Sequence, residues 1–302
     1  PLRGPHPRAR THKVAAENLG RFTVPLGLFV LIGARGLRRP PQTDRARIGA
    51  FGALLVTAAF TLTTYVLSSI GSRGQTWWLL ALVALIVAAA AILHQSTAAE
   101  PLIPRSLWRN RTIVVGNVAT FVAGMVFQVS IWYFLTYLLQ HRLGLAPALT
   151  GLAFLPLTLT MLVINTWVTP HLIERYSPRK IATIGALVSA VGLTAPAVLS
   201  TAYPLLVIFV PALIIGIGAG LFHTPLAGLV TTGVTPAAAG AASGMMNTAK
   251  QFGGAIGLAL LAAGTAGPSD RSAFVLMAGL MLIAAVLVMV TPSPQPSRTP
   301  ER

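Results

Sequence analysis

Apolar residues in this chain come in long runs, and the polar residues gather in short clusters between them. A helix that crosses a bilayer needs about 20 mostly apolar residues in succession. Runs of that kind occupy residues 49–70, 77–93, 113–139, 149–168, 181–199, 203–230, 241–263 and 273–290. None contains Asp, Glu or Arg, and Lys250 is the one charged side chain inside any of them. A ninth run, 19–37, has a shorter apolar core between Val24 and Ile32; to span, it would need Arg21 and Arg35 to snorkel at its ends. The connections at 71–76, 141–147, 200–202 and 264–272 are short and mostly rich in helix breakers, which forces successive helices to run antiparallel. The runs do not alternate polar and apolar residues as membrane β-strands do. The predicted fold class is therefore all-α: a polytopic membrane helical bundle. Pro156, Pro170, Pro211 and Pro225 are expected to bend or end their helices, and Trp77, Trp78 and Tyr203 fall where an interfacial aromatic belt would lie.

Composition strengthens this reading. Only 9% of the 302 residues are charged and 54% are hydrophobic, where a soluble domain carries about 25% charged residues. The mean hydropathy is +0.74. The balance of 22 Lys and Arg against 6 Asp and Glu would also suit a nucleic-acid binder, but such modules carry their charge on a continuous patch interleaved with stacking aromatics. Here the Arg residues sit in short clusters between apolar runs, as the positive-inside rule places them. The expected partner is thus the lipid bilayer, with no nucleic acid. By parity, connections 35–48, 95–112, 170–180 and 231–240 and the C-terminal tail lie on one side and hold thirteen Lys or Arg; the other side has Arg73, Arg142 and Arg271. That bias puts the first set, and the C-terminus, on the cytoplasmic face of the cell membrane. Residues 1–18 and 291–302 lack apolar periodicity and read as disordered tails. Arg3, Arg8, Arg10 and Lys13 nearly balance the charge across 19–37, and residue 1 is not Met. The chain is accordingly expected to be a fragment. It has no cysteine, which removes disulfides, iron–sulfur clusters and thiolate metal sites.

The polar residues inside the apolar runs are the candidates for function. Asn247, Lys250 and Gln251 share one helical face at i, i+3 and i+4. An ammonium near the bilayer interior costs a few kcal/mol unless it meets a cavity or a partner. Lys250 is therefore either a snorkelling lysine near a helix end or part of a polar stripe lining a cavity. His223 is either a buried neutral imidazole or a proton carrier. Asn117, Gln128, Asn165 and Thr224 either line a pore or hydrogen-bond between helices. Glycines four apart, Gly216 with Gly220, Gly240 with Gly244 and Gly253 with Gly257, make smooth helix faces. Such faces allow close packing or the sliding of one helix on another. No Ser-His-Asp order, metal-spaced His pair or phosphate-binding glycine loop is present, so no enzymatic activity, metal site or cofactor is expected.

Residues 216–260, GIGAGLFHTPLAGLVTTGVTPAAAGAASGMMNTAKQFGGAIGLAL, closely resemble the late-helix signature of the major facilitator superfamily, in the fourteen-helix drug:proton antiporter branch of EmrB/QacA type. Residues 101–111 (PLIPRSLWRNR), 150–156 (TGLAFLP), 175–179 (RYSPR) and 24–28 (VPLGL) are similar to other segments of that branch. The resemblance implies that 19–37 is family helix six. It makes 38–112 two linker transmembrane helices with cytoplasmic loops, and 113–290 the six-helix C-terminal transport bundle. It further implies proton-coupled efflux of small organic molecules or drugs by alternating access, with protons, a small hydrophobic or cationic substrate and an N-terminal half as partners. Helices one to five are not in the chain, nor are the membrane acid and the glycine–proline motif that they carry in such antiporters. Lys250 stands where the family commonly has Arg, which keeps the charge but replaces a bidentate fork with a point charge. The alternative expectation is a transport-incompetent remnant with no activity of its own.

Overall fold

The computed structural model describes residues 50–69, 77–98, 101–199, 203–264 and 271–292. The chain divides into two units, and the described residues belong to the second, Ile48–Arg302. The expected helix 19–37, the tail 1–18 and all but the first two residues of the tail 291–302 lie outside the described residues.

The described residues form helices and no strand. α1 (Ala50–Ser69) and α2 (Trp77–Thr97) form a hairpin, followed by the short α3 (Arg105–Arg109). The bundle then comprises α4 (Arg111–Arg142), α5 (Pro147–Arg175), α6 (Pro178–Val198), α7 (Pro204–Thr231), α8 (Pro236–Gly264) and α9 (Arg271–Val290). Among the described residues, α2, α4, α5, α6, α7 and α9 are long and apolar enough to cross a membrane. The apolar part of α1, Phe51–Val66, is shorter. α8 has the length, at 29 residues, but Asn247, Thr248, Lys250 and Gln251 dilute its hydropathy.

Local chemistry sets the boundaries. The Asn110 side chain accepts from the backbone N–H groups of Thr112 and Ile113 and so caps α4. Ser177 accepts from Lys180 N–H and caps α6. The tight turns after α4 and α7 each use a glycine at positive φ, Gly144 (66°) and Gly233 (77°), where other residues are strained. Two helices run past their expected ends. α4 continues through a π turn, Leu138–Arg142, and α5 continues through another, Ile164–Val168, to Arg175. Much of the connection expected at 170–180 is thus helix. Pro170, Pro211 and Pro225 end no helix: Pro170 opens the turn after the π segment, and the other two lie within α7. Pro156 does follow an interruption, at Phe154.

α6 packs on α7 and α9, α4 packs on α8, α9 and α7, and α5 packs on α7. Exchanging α4, α5 and α6 with α7, α8 and α9 maps this set of contacts onto itself. Three antiparallel helices put the two triplets in opposite orientations, so the bundle is an inverted repeat. Its centre is filled by Phe134, Phe222, Met277 and Met281, all fully buried. The α1–α2 hairpin attaches through α8. Trp77, Trp78 and Tyr203 are exposed at the starts of α2 and α7, as interfacial aromatics are.

Candidate functional site

Four helices, α4, α5, α7 and α8, line a cavity of about 340 Å³, and glycines decide how closely α4 and α8 approach beside it. A Cβ on Gly124 of α4 would stand 2.6 Å from the Lys250 carbonyl oxygen of α8. One on Gly253 would collide with the Phe121 carbonyl, and one on Gly257 with the Met125 backbone. α4 and α8 therefore touch backbone to backbone, a seam only glycine permits. Gly254 lies in the same seam against the Gln128 side chain, 2.7 Å from where its Cβ would be.

This seam delivers Gln128 from α4 and Lys250 from α8 to one cavity, and α7 adds His223. The His223 ring stands edge-on to Phe127, centroids 5.1 Å apart. α4 is interrupted at Gln128–Val129 and restarts at Ser130. The Trp132 indole N–H reaches back across the break to the Phe127 carbonyl at 3.1 Å. The remaining wall is mainly apolar, with Phe127, Trp132, Met161 and Phe222 prominent. An ammonium, an imidazole and an amide thus face an otherwise greasy chamber. Together they offer hydrogen-bond donors and acceptors at fixed points, the usual design of a small-molecule site. Among the described residues Glu174, exposed near the end of α5, is the one carboxylate, and no group of three His, Cys, Asp or Glu could hold a metal ion.

The other candidates lie elsewhere. Asn247 and Gln251 are exposed and do not line this cavity, so the stripe of α8 divides, with Lys250 turned inward. Asn117 is buried; its amide nitrogen donates to the Ile113 carbonyl at 2.8 Å, and its oxygen has no partner among the described residues. Asn165, in the π turn of α5, accepts from the Thr224 hydroxyl at 2.5 Å. That bond ties α5 to α7 one residue beyond His223. Thr169, one turn further along α5, donates to the Gly220 carbonyl at 2.9 Å and ties the same two helices. The glycine faces divide as well. Gly216 and Gly220 have no room for a Cβ against Thr160 and Ile164. Gly240 and Gly244 meet nothing within 4 Å among the described residues, so close packing, one of the two uses expected of that pair, is not made there. Trp132 and Gly124 carry no motif that would have marked them as parts of a site.

A six-helix unit built as an inverted repeat of three helices is the architecture of one large transporter class. The profile described as Major Facilitator Superfamily matches residues 46–258 and, in a second placement, residues 116–302. The chain belongs to the major facilitator superfamily. This superfamily member is similar to the cephamycin export protein CmcT of Amycolatopsis lactamdurans, with 41% identity over 89% of the chain and 59% of the relative. It is also similar to the puromycin resistance protein pur8 of Streptomyces alboniger, 32% identical over 78% of the chain and 48% of the relative. The lincomycin resistance protein of Streptomyces lincolnensis is 32% identical over 90% of the chain and 58% of its own length. The chain thus spans about half to three-fifths of the length of these relatives.

Proposed function

We propose that the chain is the C-terminal part of a fourteen-helix drug:proton antiporter of EmrB/QacA type, which exports small organic molecules across the cell membrane by alternating access. The observation that carries this reading is the convergence of Gln128, His223 and Lys250, from three helices, on one largely apolar cavity within the inverted-repeat bundle. The names of three relatives, one an antibiotic exporter and two antibiotic resistance proteins, point the same way.

In this reading residues 113–290 are the transport bundle, 38–112 carry the two linker helices, and 19–37 is helix six. The Arg-rich connections and the C-terminus face the cytoplasm. The bundle rocks against an N-terminal half, and the cavity is its share of the translocation path. Lys250 offers a positive point charge in a low-dielectric wall, where it favours substrates with carbonyl or carboxylate acceptors over bare cations. Of the two substrate classes expected from the resemblance, hydrophobic molecules fit this wall better than cationic ones. Asn247 and Gln251, on the exposed side of the same helix, are available to the facing half. The proton-carrying carboxylate is assigned to the N-terminal half.

The test is flux in liposomes that contain the chain together with its N-terminal half. A pH gradient should drive uptake of a lipophilic dye bearing acceptor groups. Lys250→Ala should cut the rate about tenfold, the worth of one charge-assisted hydrogen bond, while Lys250→Arg retains most of it. Flux indifferent to the pH gradient would remove proton coupling. Undiminished flux in Lys250→Ala would remove that residue from the path, and no flux from the wild type would favour the remnant reading.

A further inference from the structure

The cavity around Lys250 is not the largest concave feature. A cleft of about 730 Å³ lies between α1, α2 and α8, with α3 at one end. Its strongly polar groups gather at that end: Gln95 and Ser96 on the last turns of α2, and Arg105 and Trp108 on α3. From Gln95 the wall descends along α2 to Ala88, two helical turns or about 10 Å. The far wall is apolar, and the rings of Phe60 and Phe252 meet there edge to face, centroids 4.2 Å apart. Ten ångström is a large part of the hydrocarbon depth of one leaflet, about 15 Å. The cleft is therefore amphiphilic along its length, with a cationic mouth and an apolar shaft.

Arg105 is held over the mouth by a built loop. The Gln95 side chain accepts from Leu102 N–H and donates to the Ile103 carbonyl, each at 3.1 Å, which staples the segment before α3 to the end of α2. Arg105 spends one guanidinium nitrogen on the Ser96 carbonyl. A guanidinium has five N–H donors, so a fork remains that suits a phosphate in bidentate fashion. Arg105 makes no ion pair with the one described carboxylate, Glu174, which is on α5. The Trp108 ring, 55% exposed, stands beside it as aromatics do at the headgroup level.

We propose that this cleft binds an anionic phospholipid, with the phosphate on Arg105 and an acyl chain along Phe60, Ala88 and Phe252. Charge complementarity at the mouth selects the headgroup, and basic pockets between membrane helices hold anionic lipids in this way. The inference does not rest on the transport reading. It does join the two sites, because Phe252 and Lys250 belong to the same helix and a seated lipid would brace α8 from the side opposite α4.

Native mass spectrometry of the full chain in detergent tests it, with palmitoyl-oleoyl phosphatidylglycerol and the phosphatidylcholine of identical chains as probes. The wild type should bind the glycerol lipid about tenfold more tightly, the worth of a charge-assisted contact. Arg105→Gln should bring it to the choline level, and Arg109→Gln, on the same short helix but outside the cleft, should leave it unchanged. Ala88→Trp should block both lipids. Equal affinity for the two lipids, equal losses in the two Arg variants, or full binding by a folded Ala88→Trp protein would each overturn the proposal. Arg105→Gln alters an exposed side chain, so the headgroup arm decides even where the Trp variant fails to fold. Displacement of the lipid by tetraphenylphosphonium at lower concentration would make the cleft a substrate site. A dimer that Ala88→Trp dissociates would make its occupant a second copy. Either result also overturns the assignment.

Discussion

Repeated glycines along the α6–α7 seam and along the first turns of α8 are used in opposite ways. Along the α6–α7 seam a Cβ on Gly185 would lie 2.7 Å from both the Gly218 carbonyl oxygen and the Phe222 nitrogen, and one on Gly192 would lie 2.8 Å from the Ile215 nitrogen. Gly218 in turn has Ser189 directly over it. These three glycines are all consumed by contact. On α8 the glycines nearest the cavity, Gly253, Gly254 and Gly257, are consumed likewise, but Gly240 and Gly244 have no neighbour within 4 Å among the described residues. The same spacing thus serves as a weld in one place and as a bare face in another. Glycine spacing specifies a smooth surface; what lies against it is decided by the neighbouring helix.

Three experiments probe this contrast, beginning with the largest effect. Gly218→Leu inserts a side chain into backbone, and it should cost about 3 kcal/mol or more, read as a collapse of the thermal unfolding midpoint in detergent. A midpoint within a degree of wild type would mean that the α6–α7 seam is loose. Next comes the polar tie between α5 and α7. A double-mutant cycle of Asn165→Ala and Thr224→Val should give a coupling of about 0.6–1.7 kcal/mol, and additive effects would reduce the 2.5 Å contact to coincidence. Smallest is Gly244→Ala, which should stabilise by about 0.5–1 kcal/mol through helix propensity alone. Destabilisation there would reveal a partner pressed against that face and erase the contrast.

The fold class was legible because lipid imposes a severe filter. Backbone polar groups must be satisfied internally, so long apolar runs can only be helices, and the eight runs from 49–70 to 273–290 all appear as helices. Helix ends were less legible. A π turn needs no breaker residue, so nothing in Leu138–Arg142 or Ile164–Val168 announced that α4 and α5 would run on. Of the two outcomes expected of the prolines, bending or ending a helix, Pro211 and Pro225 do not produce the second: within a bundle, neighbouring helices and local adjustments tolerate the missing N–H.

The site was legible only as a pool of polar residues. Lys250 stood out from the sequence because a charge in an apolar run is costly, and His223 and Gln128 stood out as polar residues in similar runs. Their grouping did not, since it depends on the rotation of three helices about their axes. Asn247 and Gln251 share the face of Lys250 by periodicity, yet the Gly124–Lys250 backbone contact turns only the lysine toward the cavity. Asn117 and Asn165 look alike in sequence, but one bonds within its own helix and the other across to α7.

By itself, then, the sequence determined that this is a bundle of membrane helices, because hydropathy acts residue by residue and needs no partner. Tertiary structure alone decided which polar groups share a chamber, which glycines are welded and which stand free, because those outcomes depend on the register between helices far apart in the chain.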